Sequence, residues 1–200
     1  MFIILNSWNL FLEKDDLMRF IDKKDLKENI SYHNFIDFSD ISWATSSKFS
    51  DRAKNHCAAT AVTNLSIFYG NKGYKNLFVD GDIYKTFMSV YSYIGNGPRI
   101  IIANDIKKIF KKKGYYIDIL YCRKFEDIKN SIDKNRPVLL LLADKLFSWH
   151  WVMGLGYYES DKNKYIRIVD GWNNSSDKFY KFKGEIKFLY GLSVNIKKEK

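Results

Sequence analysis

The chain has 200 residues, 46% of them hydrophobic and 28% charged, which fits one well-packed domain and excludes a mainly disordered chain. Only 2 Cys and 2 Pro occur, so a disulfide scaffold and a proline-rich linker are excluded; without CxxC or HxxxH pairing a structural zinc site is not expected, and no metal or organic cofactor is expected. The net charge of +10 raises a nucleic-acid partner, but the lysines are spread along the chain without a binding signature and read as a solvated surface, so no specific nucleic acid is expected.

Met1–Leu5 is apolar but is broken by Asn6, Ser7 and Asn9, and no basic start or cleavage site accompanies it. The expectation is a cytoplasmic protein, or a secreted one if the true start lies upstream, and a monomer without a membrane span, since no apolar run approaches the roughly 18 residues a span needs. Residues 10–45 carry weak signals. Leu10–Phe20 reads as a short amphipathic helix, charged residues dominate Asp22–Glu28, and Ser39–Ser50 reads as a loop or extended segment around Trp43. The pattern sharpens at Cys57–Tyr69 (CAATAVTNLSIFY), where alanines and then Val62, Leu65 and Phe68 at helical spacing predict a buried central helix ended by Gly70 and Gly73. Ile83–Tyr93 and Asp105–Lys113 follow as helices, the second stopped by Gly114. Tyr115–Cys122 then reads as a strand and Phe125–Asp133 as a short helix. Pro137–Ala143 is an apolar run of the kind buried on both faces of a sheet. Strands are predicted at His150–Tyr158, Lys164–Asp170, Lys178–Phe182 and Phe188–Val194, with turns at Ser160–Asn163 and Asn173–Asp177. Helices first and an antiparallel sheet later is an α+β arrangement.

Cys57 opens the Ala-rich helix, where unpaired amides and the helix dipole favour the nucleophilic thiolate. The bland alternative is a small buried hydrophobe. His150, between Trp149 and Trp151 at the start of a strand, is placed to hold a proton near neutral pH and to form an ion pair with Cys57; the alternative is a core histidine satisfied by a carbonyl. His33 lies in the weakly patterned region, and His56 adjoins the cysteine, where neighbouring side chains rarely face each other on a helix. A third group should orient the imidazole. A three-residue hairpin loop at Ser160–Lys162 would set Trp172 opposite His150 with Asp170 diagonal, and a four-residue loop at Ser160–Asn163 would set Asn173 there. Asp170 is the first choice and Asn173 the alternative, although Asp170 also reads as a plain turn residue before Gly171.

Cys, His and Asp in that order, on a helix and two later strands, resemble the papain-like cysteine peptidases, and most closely the C39-type peptidase domain and its stand-alone relatives. Asn55–Tyr69 is similar to the family's cysteine helix, although Ala58 stands where a glycine often follows the nucleophile. Arg136–Tyr157 looks like the buried strand, loop and histidine strand, and Tyr165–Trp172 like the strand that ends in the aspartate. The resemblance covers roughly residues 43–196. It implies a papain-like domain over 43–200, with N-terminal helices, including a central Cys-bearing one, packed on a C-terminal antiparallel sheet. Residues 1–42 are left as an N-terminal extension expected to pack on that domain, in a structural or an inhibitory role.

The resemblance further implies a cysteine peptidase, or a related amide or thioester hydrolase, acting on a peptide or protein substrate. Cys57 would attack the carbonyl, His150 would protonate the leaving amine, and Asp170 would hold the imidazole, with Trp172 shielding that bond. An acyltransferase of the same fold is the nearest alternative, and a catalytically weak or silent binding domain the next. One departure supports the silent form. The family usually has an oxyanion-binding glutamine six residues before the cysteine, and here that position is Asp51, whose charge would repel the developing anion. Either Asn55 supplies the amide, or Asp51 points away and leaves the Cys57 N–H as the main donor, or catalysis is impaired. Cys122, in a strand pattern, is expected to be inert.

Overall fold

The computed structural model describes residues 18–197 apart from 27, 29, 38–40, 98 and 145–147. In chain order the elements are β1 (Ile21–Asp22), β2 (Tyr32–Phe35), α1 (Cys57–Asn71), α2 (Ile83–Ile94), α3 (Ala103–Lys112), β3 (Ile117–Cys122), α4 (Phe125–Ile132), β4 (Val138–Ala143), β5 (Trp149–Glu159), β6 (Lys164–Val169), β7 (Lys178–Lys181) and β8 (Lys187–Ile196). The expected α+β arrangement is present. The predicted helix over Leu10–Phe20 lies mostly outside the described residues, and its last three, Met18–Phe20, are not helical.

All pairings in the sheet are antiparallel, and the strands run β1-β7-β6-β5-β4-β8-β3. The leucine run of β4 lies between β5 and β8 and is wholly buried, as its continuous apolarity requires. The eleven-residue β5 is the organising strand. One edge takes β6, and the other takes β4 along its first half and β2 along its second. The close approach of β2 depends on Gly156, where a Cβ would lie 2.1 Å from Phe35 Cδ1.

Helix α1 is buried from Ala58 to Tyr69, which is why apolar or small residues occupy every face instead of one stripe. It packs on α2 and against β5. The hydroxyls of Thr60 and Ser66 are buried in it without a hydrogen-bond partner among the described residues, whereas Thr63 Oγ1 donates to Ala59 O at 2.8 Å, and Asn64 Oδ1 accepts from Ala44 N at 2.7 Å while its Nδ2 donates to Ala44 O at 3.1 Å, latching the Trp43–Ser47 segment onto the helix. Asp82 caps α2 through Lys85 N at 2.7 Å, and Gly95 ends it with φ 71°. Asp127 caps α4 by accepting from Arg123 N and Lys124 N at 2.8 and 3.2 Å. No described helix is long and apolar enough to cross a membrane.

The N-terminal segment is built into the sheet. β1 pairs with β7 and β2 with β5, so residues 21–35 contribute two strands that local sequence pattern does not announce.

Candidate active site

Cys57 is the first residue of α1. Asn55, in the left-handed region with φ 50°, turns the chain into the helix, and no side chain caps the helix start. The first-turn amides therefore have no side-chain partner, and the backbone amides of Trp151, Ala58 and Cys57 are near enough to the thiol to lower its pKa. Trp151 reaches it because β6 stops at Val169, opposite Met153, leaving the first residues of β5 without a strand on that edge. The start of α1 fills the gap. The amides favour the thiolate, but burial outweighs them and pushes the Cys57 thiol above the ordinary range.

His150 precedes Trp151 and is buried. Its ring stacks on Trp172 with centroids 4.0 Å apart and planes 16° apart, and its Nε2 lies 2.6 Å from the Asp170 backbone oxygen. A carbonyl can only accept, so Nε2 carries the proton and Nδ1 keeps its lone pair. Burial pushes the imidazole down to about 4, against the carbonyl, which favours the charged form. Desolvation therefore acts on both groups toward neutrality. It opposes the ion pair that the helix dipole favours.

The hairpin register explains the stack. The β5–β6 loop has four residues, with Glu159 opposite Lys164, but a bulge between Gly154 and Gly156 takes one residue back, so that Met153 faces Val169. Continued to the end of β5, this register sets Trp172 opposite His150, as a three-residue loop would have done.

The Asp170 carboxylate does not meet the imidazole. It accepts from Trp172 N at 2.9 Å, Asn173 N at 3.2 Å and Asn173 Nδ2 at 2.9 Å, and so holds the turn that carries Trp172. Burial raises its pKa, opposed by these donors. Asn173 supports Asp170 and, through Oδ1, Ser175 N at 2.7 Å. The same turn is tied to the Trp43–Ser47 segment: Ser46 N donates to Gly171 O at 2.7 Å and Trp43 N to Asn174 Oδ1 at 2.9 Å. Gly171 takes φ 77°, which favours glycine there.

The other candidates lie apart from this arrangement. The Asp51 side chain is 69% exposed and pairs with Arg52 at 3.3 Å, so its charge is solvated. Asn55 is exposed. His56 is buried against Phe49 and Phe87, with Nε2 3.1 Å from Ser46 O, and burial lowers its pKa. His33 is exposed on β2, and Cys122 is buried 3.9 Å from Ser131 Oγ with its thiol pushed up to about 11. Sequence reasoning missed the Trp151 amide and the Asn64 latch. The second carried a signal, an asparagine inside an otherwise apolar helix.

Burial of a neutral histidine has a measurable consequence. Below the ordinary value of 6.5 the unfolded chain takes up a proton that the folded chain refuses until about pH 4. The contribution is fully present above 6.5 and is lost as pH falls toward 4, by about 3 kcal/mol. Urea unfolding of wild type and His150→Gln should show the stability difference moving against wild type by about that amount over this window; a constant difference would show that His150 does not titrate with folding.

Compared with known proteins, the chain matches the model of the Peptidase C39 like family over residues 35–190. No curated protein matches it.

Proposed function

We propose that this chain, which belongs to the Peptidase C39 like family, is a cysteine peptidase that cleaves a peptide or protein amide through an acyl-enzyme on Cys57. The observation that carries the reading is the geometry of the two groups: Cys57 stands at the uncapped start of α1, and His150 is buried with its Nε2 fixed 2.6 Å from the Asp170 carbonyl. Nδ1 then serves as the base.

In this mechanism the thiol proton passes to His150 Nδ1 as Sγ attacks the substrate carbonyl carbon. The resulting oxyanion is held by the amides at the start of α1, where the helix dipole also favours negative charge. Collapse breaks the C–N bond, and the amine leaves with the proton from Nδ1. Water, deprotonated by the same nitrogen, then releases the acid and returns the thiol. The Asp170 carbonyl stabilises the transient imidazolium through Nε2–H throughout. Because the Asp51 carboxylate is solvated and paired with Arg52, it adds no unscreened repulsion to the oxyanion.

The test is digestion of a proteome-derived peptide library, with new termini read by mass spectrometry. Wild type should generate termini that the Cys57→Ala protein does not. Identical peptide sets from the two proteins would overturn the peptidase reading and favour a binding domain of this fold.

A further inference from the structure

Residues before Phe35 lie outside the family match, yet they reach the histidine side of the site. Phe20 stacks on Trp172 with ring centroids 5.6 Å apart and planes 27° apart, and Trp172 is the ring that stacks on His150. We infer that Phe20 is a positioning residue for His150, acting through Trp172, so that the N-terminal segment completes this site. The inference rests on the reading of Cys57 and His150 as nucleophile and base.

Phe20 is held from both directions along the chain. Met18 is buried in the core, and Ile21 and Asp22 pair with Phe179 and Lys178 of β7. Asp22 also forms an ion pair with Lys178 at 2.8 Å, and Lys23 N donates to Asp177 O at 3.1 Å. Farther along, Glu28 accepts from Tyr165 Oη at 2.6 Å and from Ser160 Oγ, tying the segment to the β5–β6 hairpin. Trp172 is less firmly placed. It sits in a turn, partly exposed, and its hydrogen bond to Asp170 is made by the backbone amide, so the indole is placed by packing alone, against the core, His150 and Phe20. Phe20 supplies the part of that packing that comes from the N-terminal segment.

The consequence falls on the imidazole. The Nε2 bond to the Asp170 carbonyl fixes one ring atom but leaves the ring able to swing about that bond. The indole face fixes its plane, and with it the direction of the Nδ1 lone pair. A proton transfer that depends on this direction is sensitive to small displacements.

The experiment uses the full chain with Phe20→Ala, Phe20→Leu and Phe20→Tyr. The His150 ring protons are followed by NMR, identified by their loss in His150→Gln, and Cys57 alkylation by iodoacetamide is followed by mass spectrometry. In Phe20→Ala the His150 resonances should move downfield as the stacked indole departs, and alkylation should slow about tenfold. Phe20→Tyr, which restores a ring, should recover both. Phe20→Leu keeps apolar volume without a ring, and it supplies the same comparison if the alanine protein does not fold. Unchanged His150 resonances and an unchanged rate in a folded ring-less variant would overturn the inference. The functional reading fails on a different result, an alkylation rate indifferent to His150→Gln, and the resonance shift still decides the role of Phe20 in that case.

Discussion

Replacing His150 by alanine is expected to lower turnover of any peptide substrate by at least about a hundredfold, within the range that a positioned general base supplies. The expectation follows from the resting state of the site. Burial pushes the Cys57 thiol above its ordinary range, so its ionisation depends on a nearby proton acceptor. The imidazole, neutral down to about pH 4, is that acceptor. Removing it leaves a half-buried thiol with only backbone amides to favour its ionised form. Two controls separate this from collapse of the site: the variant should keep its Trp172 turn, which Asp170 holds through bonds that do not involve His150, and it should gain acid stability over the window from pH 6.5 to about 4. Peptide cleavage at a fixed pH near neutrality, normalised to folded protein, is the check.

The second large effect divides the two roles of Asp170. Its carboxylate is buried and accepts three hydrogen bonds, so Asp170→Ala should destabilise the protein by about 3 kcal/mol and loosen the turn that carries Trp172. Asp170→Asn is different. An amide oxygen still accepts from the Trp172 and Asn173 amides, and the main-chain carbonyl that receives His150 Nε2 is untouched. Where a carboxylate orients the histidine, the Asp-to-Asn change costs about four orders of magnitude because the imidazole is left in the wrong tautomer. Here the loss should stay below about tenfold, with a stability cost near 1 kcal/mol. Cys57 reactivity and urea unfolding of the two variants test both halves, and a loss of several orders of magnitude in Asp170→Asn would show that the carboxylate meets the imidazole during the reaction.

Much of this architecture is legible in the sequence from Cys57 onward. The alanine-rich helix, the leucine run of β4 and the alternating strands after it are local patterns, and each forms within a few residues of where periodicity puts it. The N-terminal strands are not legible for a physical reason. β1 has two residues and β2 reads YHNF, so neither carries its own periodicity; both exist because β7 and β5 offer edges far away in the chain. Phe20 is hidden for the same reason.

At the site, the sequence points to Cys57, His150 and Asp170 as side chains. It cannot show that Asp170 presents its carbonyl to the histidine and its carboxylate to the turn, because backbone direction is set by pairing and not by residue type. The hairpin shows the limit most clearly. Counting loop residues gives two registers for His150, and the bulge near Leu155 decides between them. The acidity of Cys57 was likewise only half legible. Its position at a helix start is visible in the sequence, whereas the burial that opposes ionisation comes from β5 and the loops around it.

The most direct test of the account is the pH dependence of Cys57 alkylation by iodoacetamide, read by mass spectrometry in wild type and in His150→Ala. With the proton passing from Sγ to Nδ1 inside the site, the wild-type rate should hold a plateau from about pH 5 to about pH 8. The variant should lose that plateau and show one rise above the ordinary thiol value of about 8.5. Superimposable curves in the two proteins would contradict a Cys57–His150 pair and, with it, the proposed chemistry.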